Sequence, residues 1–481
     1  MNNINKTQFI AVDLDGTITF TDTLHESVLT LVRNKPFFLL LLPFWLIKGI
    51  AYLKFKVAEI SLLDVKTLPY NLPFIDWLRV QKNNGKKIIL CTAANERVAF
   101  AVSEHLGFFD YVIASDANTN LKSTKKRNAL EKRFGTKGYD YAGNSNADIE
   151  VWAGARHAIV VNASSAVHQN ATQVTSVSHT FSSERVKISD WLRAFRVHQW
   201  LKNLLLFVPI LAAQSFDSIQ TFNSLLMAFI SFSLCASSVY ITNDLLDLES
   251  DRQHTRKKHR PFASAKLSIL VGISISIILA VLSIALGAIV GKDFLTILVL
   301  YIFLTSAYSL MLKSIVLVDC LTLATLYTVR IIAGAVAASL ALSFWLLAFS
   351  VFIFLSLALV KRYAELLAQE KVGKRIAHGR GYEVSDAPLL QTLGVSSGYI
   401  SALVMALYLK TDDVILMYTY PSAIWIFLPI LLFWVSWVWL KASRGEMHDD
   451  PIVFAIKDKT SIFVALLTVV IFMYAATGMA I

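Results

Sequence analysis

The sequence predicts an α/β domain with a Rossmann-like parallel sheet, followed by an all-α polytopic membrane domain of nine transmembrane helices. In the first part, short apolar strands alternate with helical stretches at 96–106 and 125–134, the pattern of a parallel sheet. From about Trp200 onward, apolar stretches of roughly 18 to 25 residues recur, long enough to cross a bilayer core of about 30 Å. The 481 residues suffice for both parts.

Polar side chains end three strands of the first part. Residues 9–17 read F-I-A-V-D-L-D-G-T, a second strand ends at Thr92, and a third ends near Gly143 and Asp148. Ligands of open α/β sheets bind outside the carboxyl ends of the strands. These side chains therefore predict one convergent site.

One segment of the first part is membrane-like. Residues 36–53 read P-F-F-L-L-L-L-P-F-W-L-I-K-G-I-A-Y-L, interrupted by Pro43, Lys48 and Gly49. A full crossing would separate the first strand's aspartates from their partners, so we predict an interfacial hairpin that presses the domain against the bilayer. A buried core helix is the alternative.

The nine predicted membrane segments are separated by breaks of uneven charge. They are 201–216, 222–242, 267–290, 294–312, 316–338, 342–360, 389–409, 415–440 and 460–480. Breaks 252–266 and 361–380 are strongly basic, whereas the intervening breaks hold only Lys292 and Lys410. The positive-inside rule then predicts a multi-pass protein of the cytoplasmic (inner) membrane, with the N-terminal domain cytosolic and the C-terminus outside.

The net charge of +11 fits this topology and contact with anionic membrane lipid. No aromatic-studded basic groove accompanies the charge, so we predict no nucleic-acid partner. The three cysteines, Cys91, Cys235 and Cys320, each lie in an apolar run without paired spacing, and we interpret them as packing residues.

The run from Asn243 to Pro261 places acidic and basic residues directly after an apolar segment. Asp244, Asp247 and Asp251 are spaced i, i+3 and i+7, so on a helix they would share one face and suit Mg²⁺ together with substrate phosphates. The basic residues Lys257, Lys258 and Arg260 would bind the remaining phosphate oxygens. The alternative is a solvated loop of mixed charge.

Other charged residues lie in or beside predicted membrane helices. Asp319 and Arg330 are 11 residues apart in one helix and face the same way, either as substrate ligands or as a structural ion pair. The polar helix ends at Tyr308, Lys313 and Lys202 would reach phosphate or serve as snorkelling anchors.

The D-x-D-G-T signature and its ordered partners resemble the haloacid dehalogenase-like phosphohydrolases, over about residues 1–178. The resemblance implies that Asp13 is the nucleophile, that Asp15 is the general acid, and that Thr92 bonds a phosphoryl oxygen. It also implies a neutralising lysine, Lys126, with Lys122 as its rival.

The same resemblance implies an Mg²⁺ site formed by Asp13, Asp15 and Asp148. Asn144 departs from the family pattern, because an aspartate usually stands there and its charge is lost. The alternative is a domain that binds phosphate or anchors the chain without catalysis. A polar linker, 179–192, follows.

Residues 193–481 resemble the UbiA-type prenyltransferase superfamily through N-D-x-x-D-x-x-x-D. R-V-H-Q-W-L-K-N, D-R-x-H-x-x-K-x-x-R-P and K-R-Y-A-E-L are closer to the decaprenyl-phosphate phosphoribosyltransferases within it. The usual second aspartate-rich element is reduced to Y-S-L-M-L-K-S-I-V-L-V-D.

The resemblance implies a nine-helix transferase with Mg²⁺ held by Asp244, Asp247 and Asp251. The substrate-binding residues expected from the motifs and charged positions are Lys202, Asn243, Arg252, His254, Lys258, Arg260, Tyr308, Lys313, Asp319, Arg330, Lys361, Arg362 and Tyr363. The donor would be phosphoribosyl diphosphate and the acceptor polyprenyl phosphate, and the first domain would then remove the product's 5-phosphate. The alternatives are prenyl transfer from a prenyl diphosphate to an aromatic or quinone-precursor acceptor, and a membrane scaffold or transporter.

Overall fold

The computed structural model describes residues 8–182, 184–214, 218–371, 373, 381–447 and 450–478. The chain forms two compact units. The first unit comprises Met1–Phe195 and Tyr240–Ser276, and the second comprises Arg196–Val239 and Ile277–Ile481. The sequence analysis placed the aspartate-rich segment in the membrane domain, whereas in the structure this segment belongs to the first compact unit.

A six-stranded parallel sheet forms the core of the first unit, in the order β3-β2-β1-β4-β5-β6. The strands are β1 (Phe9–Val12), β2 (Lys87–Asn95), β3 (Tyr111–Ser115), β4 (Tyr139–Gly143), β5 (Ala158–Val161) and β6 (Val177–Phe181). The central strands are almost continuously apolar because helices cover both faces of such a sheet. The predicted parallel α/β architecture is confirmed.

Short helices connect the strands of the first unit, and two more follow the final strand. They are Thr23–Asn34, Leu42–Ile47, Ile50–Ser61, Leu72–Asn83, Glu96–Leu106, Thr124–Phe134, Ile149–Gly154, Ser165–Val174, Ile188–Ala194 and Leu248–Gln253. Asp22 caps the first of these helices by accepting hydrogen bonds from the backbone N–H groups of Leu24 and His25. The two helices predicted from the sequence are present within one residue of their expected bounds.

The predicted linker at 179–192 is largely ordered. Its first residues complete β6, which pairs with β5, and its last residues begin helix Ile188–Ala194. Strand β6 lies at the sheet edge, where its middle residues are exposed and polar. A polar edge strand lacks the apolar alternation that identifies a strand in a sequence, so the linker prediction was wrong there.

The membrane-like segment of the first unit forms a helical hairpin. A 3₁₀ turn, Pro36–Leu41, leads into helix Leu42–Ile47, and Gly49, with φ of 112°, allows the reversal into helix Ile50–Ser61. Phe37 and Ile47 expose 84% and 82% of their surface. The alternative of a buried core helix is therefore wrong, and the interfacial role stays a prediction.

Eight helices of the described residues are long and apolar enough to cross a membrane, and they carry the all-α architecture expected after the first domain. They are Ile219–Leu246, Ile269–Val290, Lys292–Leu310, Val318–Ala337, Phe344–Glu370, Val384–Tyr408, Pro421–Ser443 and Lys459–Thr477. The first predicted span, 201–216, is not one long α-helix. Its described residues belong to a 3₁₀ helix, Val197–Phe207, and to the short α-helix that follows, Val208–Ala213. Other short helices are Asp412–Met417 and Pro451–Lys457.

Small residues allow close packing in the second unit. A Cβ atom added to Gly334 would lie 2.0 Å from the carbonyl oxygen of Leu206, and one added to Gly394 would lie 2.1 Å from the ring of Trp439. Such close approaches are typical of membrane helix bundles, where packing drives association. Cys235 and Cys320 are buried in this unit and Cys91 in the first, which confirms the packing role assigned to the three cysteines.

Candidate active sites

Strand β1 delivers Asp13 to the carboxyl edge of the sheet. Val12, the last residue of β1, pairs with Leu90 of β2 and Ala142 of β4, and the Asp13 N–H donates to the Ala142 carbonyl at 3.0 Å. Thr92 is fully buried in β2, where its hydroxyl accepts a hydrogen bond from the Ala94 N–H at 3.0 Å. Strand pairing therefore places the ends of three predicted motifs at one edge.

Lys126 supplies the cation of this edge. Its ammonium lies 2.9 Å from Asp13 Oδ2 and 3.7 Å from Asp148 Oδ1, and the residue is 3% exposed. Burial lowers the pKa of Lys126, but the two carboxylates outweigh burial and raise it, so the group stays charged. Lys122, the rival candidate, is exposed to solvent. Of the two lysines, the structure brings Lys126 to the nucleophile.

Asp148 shapes the turn after β4. Its Oδ1 accepts from the Tyr141 hydroxyl at 2.8 Å, and its Oδ2 accepts from the N–H groups of Asn144 and Ser145 and from the Ser145 hydroxyl, at 2.9–3.1 Å. A carboxylate with so many donors is held in one orientation. This oriented carboxylate lies beside Lys126, and its metal role stays a prediction.

Asn144 packs against the loop that follows Asp13. A Cβ atom added to Gly16 would lie 2.0 Å from Asn144 Nδ2, and Gly16 has φ of 74°. Glycine is therefore required here for both conformation and space. An amide oxygen is a competent ligand for a hard cation, so the departure from aspartate keeps a donor at this loop while removing a charge.

Asp15 has the environment of a general acid. Its Oδ1 accepts from the Thr23 N–H at 2.8 Å. Burial, reinforced by the nearby charges of Asp22 and Asp13, raises the pKa of Asp15 to about 7. A carboxyl group with such a pKa can donate a proton at neutral pH.

The aspartate-rich segment is broken into two helices. Helix Ile219–Leu246 ends before Asp247, and Leu248–Gln253 is a separate short helix. The expectation of one continuous helical face is therefore wrong. Asp244 and Asp251 are nevertheless brought together, because Arg260 Nη1 donates to Asp244 Oδ1 at 3.0 Å and to Asp251 Oδ2 at 2.6 Å. Asp247 is half-buried at the junction.

The donor set of this segment fits Mg²⁺. Asp251 Oδ1 is buried and has no hydrogen-bond partner among the described residues, although the Lys257 ammonium lies 3.9 Å away. An unsatisfied buried carboxylate oxygen is costly unless a cation or donor reaches it. Within the part of the chain that the structure describes, no three His, Cys, Asp or Glu side chains form a ready metal cluster. The Arg260 guanidinium takes the place of a cation between Asp244 and Asp251.

Arg252 is tied to the hydrolase-like part of the first unit. Its Nη2 and Nη1 donate to the two carboxylate oxygens of Glu26 at 2.6 and 3.1 Å, and its Nε donates to the Ala263 carbonyl at 2.9 Å. Nη1 also lies 3.4 Å from the Thr67 carbonyl. All three guanidinium nitrogens thus bind protein groups, so the structure shows Arg252 in a structural role.

The other predicted ligands of this segment lie nearer the surface. His254 and Lys258 are exposed, and Asn243 is half-buried. The His254 ring accepts hydrogen bonds from the backbone N–H groups of Arg256 and Lys257, which fixes the turn before Arg260.

In the second unit, Asp450 gathers two of the predicted phosphate-binding lysines. Its Oδ2 accepts from Lys202 at 2.8 Å and from Lys361 at 3.1 Å, and the Tyr327 hydroxyl donates to its Oδ1 at 3.2 Å. The Asp450 side chain is 7% exposed. Burial raises the pKa of Asp450, but Lys361 and Lys202 outweigh burial and lower it. The Asp450 carboxylate is therefore ionised and pairs with both lysines.

Asp319 and Arg330, which are predicted to face the same way in one helix, have separate partners. Asp319 forms a fully buried ion pair with Arg362, 2.8 Å from its Nε, and also accepts from the Tyr382 hydroxyl. Arg330 donates to the Asn203 side chain at 2.9 Å, to the Tyr301 hydroxyl at 2.7 Å and to the Leu326 carbonyl. The Asp319–Arg362 contact is an ion pair with a neighbouring helix, as in the structural alternative, and the substrate-binding roles of Asp319 and Arg330 stay predictions.

The remaining predicted ligands are dispersed. Tyr363 lies in the core of the second unit with its ring 5.7 Å from that of Trp439. Tyr308 packs against a different core cluster, and Lys313 is half-buried in the short turn Leu312–Ser314.

Three residues of these sites were missed in the sequence. Asp450 and Glu26 pair with basic residues at least 89 positions away, so no local spacing identifies them. Lys54, which lines a cavity beside Asp15, directly follows the membrane-like segment 36–53. The only sequence signal for Asp450 is the following proline, which is typical of a helix start.

A family match covers the later part of the chain, and one relative covers nearly all of it. Residues 204–467 match the UbiA prenyltransferase family. An uncharacterized protein of Sinorhizobium fredii, y4nM, is 35% identical over 467 residues, covering 96% of this chain and 90% of its own length. The nodulation protein NoeC of Azorhizobium caulinodans is 35% identical over 58% of this chain and 90% of its own length.

The decaprenyl-phosphate phosphoribosyltransferase of Mycobacterium tuberculosis is 34% identical over 193 residues, which cover 39% of this chain and 64% of that protein. The family match spans more than half of the chain, including the aspartate-rich segment and, of the lysine cluster, Lys361 and Asp450. The chain therefore belongs to the UbiA prenyltransferase family, as a multi-pass membrane transferase preceded by an α/β domain with a six-stranded parallel sheet.

Proposed function

We propose that this protein transfers the 5-phosphoribosyl group from phosphoribosyl diphosphate to polyprenyl phosphate with Mg²⁺, and that its N-terminal domain then removes the 5-phosphate. One observation carries the proposal. The hydrolase-like site and the aspartate-rich segment belong to one compact unit, joined by the buried Glu26–Arg252 pair. Transfer would create a phosphate monoester, which is the substrate of an aspartate-nucleophile phosphatase. The name of the mycobacterial relative supports the same donor and acceptor.

The aspartate-rich segment is assigned to the donor. Asp244, Asp247 and Asp251 would hold Mg²⁺, which when bound neutralises the charge of the departing diphosphate. Arg260, now bound to two of these carboxylates, and the exposed Lys258 would bind diphosphate oxygens. Binding of Mg²⁺ to these carboxylates would release the Arg260 guanidinium from Asp244 and Asp251, so that it could pair with the diphosphate instead.

The lysine cluster of the second unit is assigned to the acceptor phosphate. Lys202 and Lys361 both pair with Asp450, and their ammonium groups would bind an anionic headgroup. An oxygen of the acceptor phosphate attacks the anomeric carbon while the bond from that carbon to the diphosphate breaks. Because the attacking oxygen is already anionic, no strong general base is needed.

The first domain is assigned the second step. Asp13 attacks the 5-phosphate, and Lys126 at 2.9 Å stabilises the negative charge that develops. Asp15 protonates the leaving sugar oxygen, a role that fits its pKa of about 7. Water activated by the same carboxylate then releases phosphate from Asp13. The products are polyprenyl-phosphoryl ribose and inorganic phosphate.

A second candidate follows from the family to which the chain belongs. Members are named as prenyltransferases, so the polyprenyl group itself could be transferred from its diphosphate to an aromatic acceptor. In that case the aspartate-rich segment would bind a prenyl diphosphate, and the isoprenoid would appear in an aromatic product.

Mass spectrometry of lipid products tests the proposal. Purified protein is incubated with Mg²⁺, polyprenyl phosphate and phosphoribosyl diphosphate, in parallel with Asp13→Asn. We expect a ribosyl lipid from the wild type and its 5-phosphorylated form from the variant. A phosphorylated lipid from both proteins would refute the phosphatase step alone. The absence of any sugar lipid, together with turnover of prenyl diphosphate and an aromatic acceptor, would favour the second candidate.

A further inference from the structure

A cavity of the first unit opens beside Asp15. The proposed phosphatase step assigns a role to Asp15 but to none of the other residues that line the cavity. Its polar lining comes from Lys54, Asn95, Ser27 and Asp15 itself, and Val98 contributes to its apolar wall. The lining residues come from the loop after β1, strand β2 and three different helices. The cavity is therefore built by the tertiary fold.

Two of these side chains present buried donors with no protein acceptor. Ser27 is 2% exposed and Asn95 is 3% exposed. Among the described residues, the Ser27 hydroxyl and Asn95 Nδ2 have no hydrogen-bond partner. The amide of Asn95 is oriented, because its Oδ1 accepts from the Arg97 N–H at 3.0 Å. Leaving a buried donor unsatisfied costs about 1–3 kcal/mol, so such groups indicate a ligand with acceptor oxygens.

Lys54 adds a positive charge to the same cavity. Its ammonium donates to the Ala93 carbonyl at 2.6 Å and to the Asn120 side chain at 3.3 Å, which leaves one of its three N–H donors for a ligand. Burial lowers the pKa of Lys54. A partly desolvated ammonium beside two unused donors is typical of a site for an anionic oxygen group.

The position of Asp15 defines which part of a substrate meets these donors. The group that protonates the leaving oxygen must lie on the leaving-group side of the scissile phosphate. Asp15 lines the cavity, so the alcohol released from the phosphate extends into it. In the proposed function that alcohol is a ribose whose other end carries a phosphodiester to the lipid.

Accordingly, we propose that Lys54, Asn95 and Ser27 form a second anion subsite, which binds the phosphodiester of the lipid-linked sugar and selects this substrate over free sugar phosphates. The inference rests on the proposed phosphatase step. Helix Ile50–Ser61, which carries Lys54, directly follows the exposed apolar segment Pro36–Ile47. The subsite is thus placed on the helix nearest in sequence to the segment suited to lipid contact.

A purely structural role for Lys54 makes a different prediction. Through the Ala93 carbonyl, Lys54 also ties its helix to strand β2, next to Thr92. Loss of that tie would disturb hydrolysis of every phosphate monoester. Loss of an anion subsite would disturb only substrates that carry the second phosphate.

The test compares two substrates of the full-length protein in detergent. One is the 5-phosphorylated ribosyl lipid, and the other is ribose 5-phosphate, which has the scissile monoester but no phosphodiester. The variants are Lys54→Gln and Asn95→Asp, which keeps the helix cap but replaces the donor by an acceptor. Lys56→Gln is the matched control, because Lys56 lies on the same helix and pairs with Glu59 outside the cavity lining.

We expect both subsite variants to raise KM for the lipid substrate about tenfold or more, the value of one charge-assisted hydrogen bond. For ribose 5-phosphate, kcat/KM should stay within about twofold of wild type, as should both activities of Lys56→Gln. Equal losses on both substrates, or no loss on either, would overturn the subsite while the phosphatase stands. A wild type that hydrolyses neither substrate would overturn the phosphatase step and the subsite together.

Discussion

The buried pair between Glu26 and Arg252 provides a sharp test of how the first unit is held together. The side chains are 5% and 9% exposed, and Glu26 accepts two of the hydrogen bonds that Arg252 donates. In Glu26→Ala the guanidinium keeps only the carbonyls of Ala263 and Thr67. Breaking a buried pair from one side costs roughly 3–5 kcal/mol, because an uncompensated charge stays behind. Glu26→Gln keeps one acceptor and should cost less, about 1.5–3 kcal/mol.

A matched control lies on the same two helices. Arg33 and Glu249 approach to 4.0 Å with side chains 38% and 39% exposed. A pair of this kind contributes about 0–1 kcal/mol, so Arg33→Gln should have little effect. The two substitutions thus remove one ion pair each between the same elements and differ only in the burial of that pair.

Hydrogen exchange measures the expected difference locally, which suits a two-unit protein whose global unfolding is not two-state. A loss of about 3 kcal/mol in local opening free energy corresponds to about a hundredfold faster exchange. We expect this in helices Thr23–Asn34 and Leu248–Gln253 of Glu26→Ala, and a change of less than about fivefold in Arg33→Gln. Equal exchange in the two variants would refute the conclusion that the buried pair joins the aspartate-rich segment to the hydrolase-like part.

Three further predictions concern the second unit. Asp450→Asn removes the anion that competes with a substrate phosphate for Lys202 and Lys361, so KM for polyprenyl phosphate should fall. Thermal stability in detergent should also fall. An increase in KM would contradict the assignment of these lysines to the acceptor phosphate. Since the pKa of Asp450 is lowered by its lysines, its contribution to stability should be constant above about pH 4 and be lost only in stronger acid, as a pH series of unfolding would show. With nine spans, that is, the eight long helices and Val197–Ala213, a reporter fused to the C-terminus should lie outside. A reporter found on the side of the N-terminal domain would overturn the nine-span topology.

Local signals in the sequence were sufficient for much of the first domain. Apolar strands that end in polar residues predicted a parallel sheet with one catalytic edge, and strand pairing brings Asp13 and Thr92 to that edge. The choice between Lys126 and Lys122 required the tertiary structure. Both lie near the start of one helix, and only burial and the 2.9 Å contact with Asp13 distinguish them.

Residue spacing in the sequence does not identify electrostatic partners that are far apart in the chain. Asp244, Asp247 and Asp251 follow a helical period, yet the helix breaks at Asp247. The two outer aspartates meet because Arg260 bonds both of them. Arg330 is another case, since it donates to Asn203 and Tyr301, which lie in other helices and far from it in the sequence. The partners of buried charges are determined by proximity in the folded structure, and sequence periodicity carries no information about it.

The Glu26–Arg252 pair also bears on how the family domain is built in this chain. Arg252 lies within the residues that match the family, whereas Glu26 lies in the preceding domain. Segment Tyr240–Ser276 accordingly belongs to the compact unit of the hydrolase-like domain. Because an unpaired buried guanidinium is costly, the position of this segment depends energetically on a residue outside the matched region. The two predicted activities therefore share structural elements, and a mutation in helix Thr23–Asn34 can alter both Asp15 and the aspartate-rich segment.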